Sequence, residues 1–453
     1  MRTLVALFFC ICFATLNAQE PITLQRFLQE VEIAHPTLRA AALEKNTADA
    51  DVLQAQSNFD IFLKGKYELK TTDGKEKVNY LDAGLEMPLA TMFGPRINAN
   101  LKRGDGTSIN PENTTNGSAE VGVGVSMPLW QGINTDSRRT ALQKALLRPE
   151  LASISVQQER NSLFRTASLR YWDWVESTEQ VQVAQAIFRT AEERFTQIAR
   201  RARAGEVAAI DSIEALQEVE RRRGEYVRSQ RNAEQAAITA ATFLWNTDGT
   251  QQTQPIRPAI LPNPEQLATT EIERDRTLSL TRRPEARRII IQEQSAQLDV
   301  QLANELQRPL IEAQGQLLTP LNSPALNTFK VGLSISQPLL FRSANAQEQF
   351  AQINTQRISY QRILLNRQIQ AEIDDALSAL NKATERIVAA EREVQLATTM
   401  QQAEVKRFTA GESTLIFVNI RERALAEAQA RLVTARADYF RAMASYNWAT
   451  AKW

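Results

Sequence analysis

Apolar residues recur with period two in some stretches of the chain and with helical spacing in others, and the change between the two is sharpest from Ala119 to Leu147. From Val121 to Leu129 the odd positions are apolar (Val121, Val123, Val125, Met127, Leu129). The even ones are Gly122, Gly124, Ser126 and Pro128, which gives the alternation of a strand with one apolar face. Pro128 closes the run, since proline has no N–H to give to a ladder. Gly132 then permits a turn, and Ser137 to Leu147 carries the residues of a helix. The same change occurs a second time. Lys330 to Leu340 sets Val331, Leu333 and Ile335 against Gly332, Ser334 and Ser336, reaches Pro338, 210 positions after Pro128, and passes into helix from Ser343.

The remaining elements fall into place around these two turns. Ile22 to Gln56 has a helical pattern interrupted at His35-Pro36, because proline disfavours helix for the residue before it and suits the first turn of a new one. Asn58 to Lys70 and Tyr80 to Leu89 alternate as strands, Arg96 to Lys102 as a shorter one, and Pro309 to Leu318 more weakly. Between them Thr71 to Val78 and Arg103 to Ser118 read as polar loops, and Ala90 to Pro95 as a short turn. Ser137 to Ala204 is helical with a break at Pro149, Gly205 interrupts it, and helix resumes from Val207 to about Trp245. Asn246 to Pro264 is a Pro-rich linker. After it, Pro284 to Leu306 repeats Pro36 to Asn58, with Arg287 on Arg39 and Asp299-Val300 on Asp51-Val52. Ser343 to Ala410 contains neither Gly nor Pro, Gly411 takes the place of Gly205, and a last helix spans Glu412 to Trp453.

The chain is therefore internally duplicated. The expected division is a first repeat over 19–245, with strands in 58–130 and a helix tip near 205; a linker over 246–280; and a second repeat over 281–453, with strands in 309–339 and a tip near 411. A helix from Ser343 to Ala410 would be about 100 Å long at 1.5 Å per residue. Ile369, Ile373, Ala376, Leu380, Ala383, Ile387, Ala390, Val394 and Ala397 step by four and three along it, the seam of helices packed side by side as in a coiled coil. Amphipathic strands adjoining such helices are not covered by them, because the helices are too long to pack over the strands, and two-stranded sheets are not independently stable. Closing into a barrel by oligomerisation, with apolar faces in lipid, would satisfy both edges and faces.

Composition narrows the picture further. The net charge is +1 over 453 residues, with no basic excess to suggest nucleic acid. Residues 1–18 read as a secretory signal, with Arg2, the apolar run Leu4 to Phe13 and Leu16-Asn17-Ala18 before the cleavage point. Cys10 and Cys12 both lie in it, so the mature chain is expected to have no disulfide and no cysteine metal site. No apolar stretch after the signal approaches the roughly 20 residues of a spanning helix, which leaves a β-barrel as the membrane-embedded option. No nucleophile, phosphate-loop or metal-ligand spacing is present, so no catalytic residue, cofactor or metal is expected. Lone His35 reads as a turn residue, Tyr171, Trp172 and Trp174 as packing, and adjacent Asp374-Asp375 as pointing apart on a helix.

With these elements in order, the mature sequence resembles the TolC-type outer-membrane efflux proteins over essentially its whole length. The resemblance is carried by His35-Pro36-Thr37-Leu38, the strand-to-helix turns Met127-Pro128-Leu129 and Gln337-Pro338-Leu339, and the tips Arg203-Ala204-Gly205 and Arg407-Phe408-Thr409-Ala410-Gly411. It implies an α+β membrane protein: a homotrimer with a transmembrane β-barrel in outer-membrane lipid, continued by a long periplasmic α-helical barrel. It also implies a function, the exit duct of a tripartite efflux or type I secretion system, docked to a periplasmic adaptor and an inner-membrane pump of the RND or ABC type. The tips Arg203, Gly205, Arg407 and Gly411 would be what the adaptor reaches. A different class remains open, a periplasmic coiled-coil adaptor or scaffold without a pore, which would be water-soluble.

Two departures from the family pattern stand out. The family usually has two strands per half, whereas four are counted here in the first half and two in the second. The expectation is an eighteen-stranded barrel per trimer, against twelve strands with an extra hairpin, Tyr80 to Lys102, lying outside the wall. Some members also place acidic residues six and nine positions after the second tip glycine, where this chain has Phe417 and Ile420. The first-half equivalents are Asp211 and Glu214, which share a helix face and would form an anionic ring around a trimer axis, or else a solvated face.

Overall fold

The computed structural model describes residues 21–115, 117–252, 257–322 and 328–453. The expected signal segment lies outside the described residues. Elements run in the order α1 (Leu24–Ala34), α2 (Pro36–Gln56), β1 (Phe62–Thr72), β2 (Lys75–Pro88), β3 (Arg96–Asp105), β4 (Glu120–Pro128), α3 (Ser137–Ala145), α4 (Arg148–Arg203), α5 (Ala209–Ala241), α6 (Thr269–Arg282), α7 (Pro284–Leu306), β5 (Leu310–Pro320), β6 (Thr328–Ser336), α8 (Arg342–Thr409) and α9 (Leu415–Ala449). They form two compact units, each drawing segments from both halves of the sequence.

One unit comprises Arg39–Glu159 and Arg274–Ala371. Its centre is a single antiparallel sheet in the order β1-β2-β3-β4-β5-β6, a meander in which β4 of the first half pairs with β5 of the second. The predicted loop from Thr71 to Val78 is instead a two-residue hairpin, with Thr72 paired to Lys75 and both Asp73 (φ 53°) and Gly74 (φ 71°) left-handed. Asp-Gly is the dipeptide that such a turn demands, and the charged residues beside it are polar strand ends. The helices α2, α3 and α7 adjoin the sheet along the chain. Asp136 caps α3 by accepting from Arg138 and Arg139 N–H at 2.9 and 3.0 Å. The helix break falls at Leu146-Leu147 rather than at Pro149, which sits in the first turn of α4 where a proline costs no hydrogen bond.

The other unit comprises Met1–Leu38, Arg160–Glu273 and Glu372–Trp453. Its core gathers Phe27, Val31, Tyr171, Trp172, Trp174, Val175, Ala240 and Leu244, so the three aromatics of α4 are packing residues. The Tyr171 hydroxyl donates to Ile22 O at 2.8 Å, and burial pushes its phenol up to about 12. Along α8, Ala376, Leu380, Ala383, Ile387 and Ala390 pack on Ala435, Tyr439, Ala442 and Tyr446 of α9. That is the predicted seam, with small residues letting the helices approach. The polar helix α6 carries no apolar stripe and was not expected. The last helix ends at Ala449, where Ala451 turns to φ 50° and Lys452 N–H closes back on Asn447 O at 2.9 Å.

Candidate channel wall and helix tips

The sheet has two chemically opposite faces. Odd-numbered residues put Leu63, Tyr67, Leu69, Leu81, Leu85, Leu101, Val121, Val123, Val125, Leu317, Phe329, Val331, Leu333 and Ile335 on one side, every one of them exposed. Cross-strand partners are apolar against apolar, as in Leu63 with Leu85, Leu101 with Val121 and Ile311 with Ile335. The other face is polar and bonded to itself. Lys64 pairs with Glu86 and Arg96 with Glu312, the Gln316 amide donates to Asn100 Oδ1 at 2.7 Å, and Tyr80 donates to Asp82 at 3.0 Å. Gly122 makes room for that belt, since a Cβ there would collide with Gln316 and Asn100. A sheet with one exposed apolar face and one polar, cross-linked face has the alternation that a membrane barrel wall requires.

The hairpin β2–β3 lies within this wall. Both strands are paired on both sides, β2 with β1 and β3 from Asn79 opposite Asp105 to Pro88 opposite Arg96, and β3 with β4 over Arg96 to Lys102, so Tyr80 to Lys102 belongs to the sheet. Pro128 and Pro338 behave unequally. Pro128 ends β4 opposite Glu312, while Pro338 lies two residues beyond β6, before the turn at Phe341 (φ 47°).

The two helix tips share one construction. After α4, Gly205 at φ 76° gives its N–H to Ala202 O at 3.1 Å, and Glu206 N–H reaches Arg201 O at 3.0 Å. After α8, Gly411 at φ 81° bonds Phe408 O at 3.1 Å, and Glu412 N–H reaches Arg407 O at 2.9 Å. These are glycine C-caps, in which the left-handed residue lets orphan carbonyls be satisfied. A Cβ on either glycine would meet nothing within 4 Å, so backbone conformation alone calls for glycine there. Ile198, Ala215 and Leu415, with Phe195, Val207 and Phe408 against them, pack the two tips together, and an Arg194–Glu422 ion pair ties α4 to α9. Arg203 and Arg407 remain exposed at the ends.

Asp211 lies in the first turn of α5, where its charge favours the helix N-terminus, and Glu214 follows one turn later, both half-buried. Phe417 and Ile420 occupy the corresponding turn of α9 and are exposed, as are Ile210 and Ile213 of α5. That turn of α9 therefore carries hydrocarbon where the equivalent turn of α5 carries carboxylates. Among the described residues no group of His, Cys, Asp or Glu side chains could hold a metal ion, and no helix is long and apolar enough to cross a membrane.

A sheet with one apolar and one polar face is thus joined in sequence to helices of 56 and 68 residues. Residues 88–244 match the profile of the outer membrane efflux protein family. The fold is similar to the outer-membrane channel OprN (TM-score 0.69, 17% identity, 94% of this chain and 89% of that one). It is also similar to the outer membrane protein VceC from Vibrio cholerae (0.67, 15%, 94% and 95%) and to the Campylobacter jejuni CmeC outer membrane channel (0.62, 14%, 94% and 85%). Comparison with curated proteins gives no match. The family match is confined to residues 88–244, and the likeness to these solved channels, at 17% identity or less, is one of fold.

Proposed function

We propose that three copies of the chain assemble into one duct, their sheets closing an eighteen-stranded barrel and their long helices a periplasmic tunnel, and that a periplasmic adaptor served by an inner-membrane pump docks at the tips. The observation carrying this reading is the six-stranded sheet itself, whose apolar face is exposed or half-exposed along every strand and whose outer strands β1 and β6 each lack a neighbour on one side among the described residues. Unpaired edges in lipid cost several kcal/mol per unsatisfied group, and closure removes them. The two repeats, 19–245 and 281–453 around the linker 246–280, supply the pseudo-symmetry of the wall. Exposed Arg203 and Arg407 beside Gly205 and Gly411 offer the adaptor cationic, glycine-bounded ends. Asp211 and Glu214, repeated three times, would line the tunnel entrance with negative charge, and Phe417 and Ile420 would form its apolar part.

Topology tests this reading. Cysteine placed at Asp73 or Thr107, in the turn after β1 and the loop after β3, at the end of the sheet opposite the one joined to the helices and so external in this reading, should react with a membrane-impermeant maleimide on intact cells. Cysteine at Arg203 should react only after the outer membrane is permeabilised. Equal labelling of Arg203→Cys on intact cells would overturn the orientation.

A further inference from the structure

The hairpin β2–β3 is an insertion into the wall. β1 and β4 run antiparallel, and Thr72 and Glu120 both stand at the end of the sheet away from the helices, so the turn Asp73-Gly74 could join the two strands directly. Joining Gly74 to Glu120 would set Leu69 beside Val123 and keep the odd positions on the apolar face. The chain runs through residues 75–119 instead.

Those residues are built into the wall. On one side Lys64 of β1 pairs with Glu86, and Lys66 stands opposite Asp82. On the other, Lys102 stands opposite Glu120 of β4, and Arg96 pairs with Glu312 of β5. Charges of the flanking strands thus meet opposite charges of the hairpin across the polar face. The turn between β2 and β3 is fixed as well. Buried Arg139 of α3 donates to Thr91 O at 3.4 Å and to Ile133 O at 3.2 Å, and a Cβ on Gly94 would lie 2.9 Å from Asp136 Oδ2.

Width gives the insertion a role. Helices adjoin the other four strands, α2 at β1, α4 through α3 at β4, α7 at β5 and α8 at β6, whereas the hairpin has no helix of its own. Ion pairs link these helices in that same order: Asp51 with Arg148, Glu150 with Arg287, and Glu293 with Arg362. Ile289 and Ala296 of α7 also pack on Ile358 of α8. At interaxial distances of about 8–10 Å, a row of four helices spans about 32–40 Å. Strands about 4.8 Å apart and tilted by about 40° each take about 6.3 Å of a barrel's perimeter. Four strands would cover about 25 Å of that row, and six cover about 38 Å.

We propose that the hairpin sets the bore of the exit. It brings the sheet to the width of the helix row, so the barrel does not pinch the duct and passes bulky hydrated cargo, such as folded peptides, that a wall without the hairpin would hold back. The inference rests on the duct reading and names a cargo class for it. Eighteen strands of this spacing and tilt close to about 36 Å across at the backbone, and twelve to about 24 Å. A side-chain layer of about 5 Å on each wall, half the distance between stacked sheets, leaves about 26 Å against about 14 Å.

Size exclusion at one cysteine inside the barrel tests this, because the natural cysteines Cys10 and Cys12 both lie in the expected signal. Ser126 is on the polar face of β4, two residues before the strand's helix-side end, so a reagent added outside must pass most of the barrel to reach it. Ser126→Cys is exposed on intact cells to impermeant maleimides carrying poly(ethylene glycol) of graded size, in the full chain and in a variant lacking residues 75–119. The full chain should react with a reagent about 20 Å across, intermediate between the two bores, and the shortened chain only with smaller ones. Equal cut-offs in the two oligomeric proteins would overturn the inference. So would a full chain that admits the small maleimide and excludes the 20 Å reagent, a result that decides the matter even where the shortened chain does not assemble. A cysteine that the small maleimide reaches only after the outer membrane is permeabilised would overturn the duct reading itself.

Discussion

His35 shows how one residue at a turn carries a pH dependence. Its Nδ1 accepts the Thr37 N–H at 3.2 Å, its ring stacks on Phe243 at 5.9 Å, and burial lowers its pKa below the ordinary 6.5. In the window between that lowered value and 6.5 the unfolded chain holds a proton that the native one does not. Stability is therefore full above about pH 6.5 and falls as pH drops through the lowered value. The thermal midpoint of His35→Gln should lose this acid-side slope; an unchanged slope would remove His35 from the account. At the tips, Gly205 and Gly411 need left-handed backbone, at about 1–2 kcal/mol for an ordinary L-residue, but no space. Gly205→Trp/Gly411→Trp should lower export without lowering trimer content, whereas the Asn pair, tolerated at that φ, should retain export. Full export by the Trp pair would refute tip docking. The glycines, prolines and His35 turn were readable because each acts on its own stretch of backbone, glycine by permitting the left-handed conformation and proline by fixing φ and disfavouring helix before it. That the Asp211 and Glu214 carboxylates would be half-buried depended on neighbouring helices, which local spacing does not report.

At the scale of elements, α8 uses its faces differently along its length. Ile369 and Ile373 are fully buried, and Ile373→Ala should cost about 2–5 kcal/mol in denaturation experiments. Tyr360→Glu and Leu364→Glu, on the exposed face, should leave the fold intact and shift the protein from oligomer to monomer on mild-detergent gels. Unchanged oligomer content would remove that face from the interface. The strands and the heptad seam were visible in the sequence because burial on one side writes a period of two or of seven. The hairpin at Asp73-Gly74 was misread as a loop because the strand ends beside it, Lys70 to Lys77, are polar on both faces where they leave the apolar band. The helix α6 was missed for the complementary reason. Its residues Thr269–Arg282 carry few apolar positions, and only Asp275 and Ser279 are buried.

For the whole molecule, the duplication was the most informative feature, since it fixed the order of elements in both halves before any contact was known. It also explains why four strands in the first half and two in the second still form one sheet: β4 and β5 join the halves, and the added hairpin is inserted into the wall without moving either edge. What the sequence left open was whether that hairpin belonged to the sheet, because alternation identifies a strand but not its neighbour. The central claim is that the chain is a trimeric duct seated in the outer membrane. The mass of the mature protein, measured by detergent-corrected light scattering after membrane fractionation and mild extraction, tests it most directly. The account predicts three chains, recovered from the outer-membrane fraction; a water-soluble monomer or dimer would contradict it.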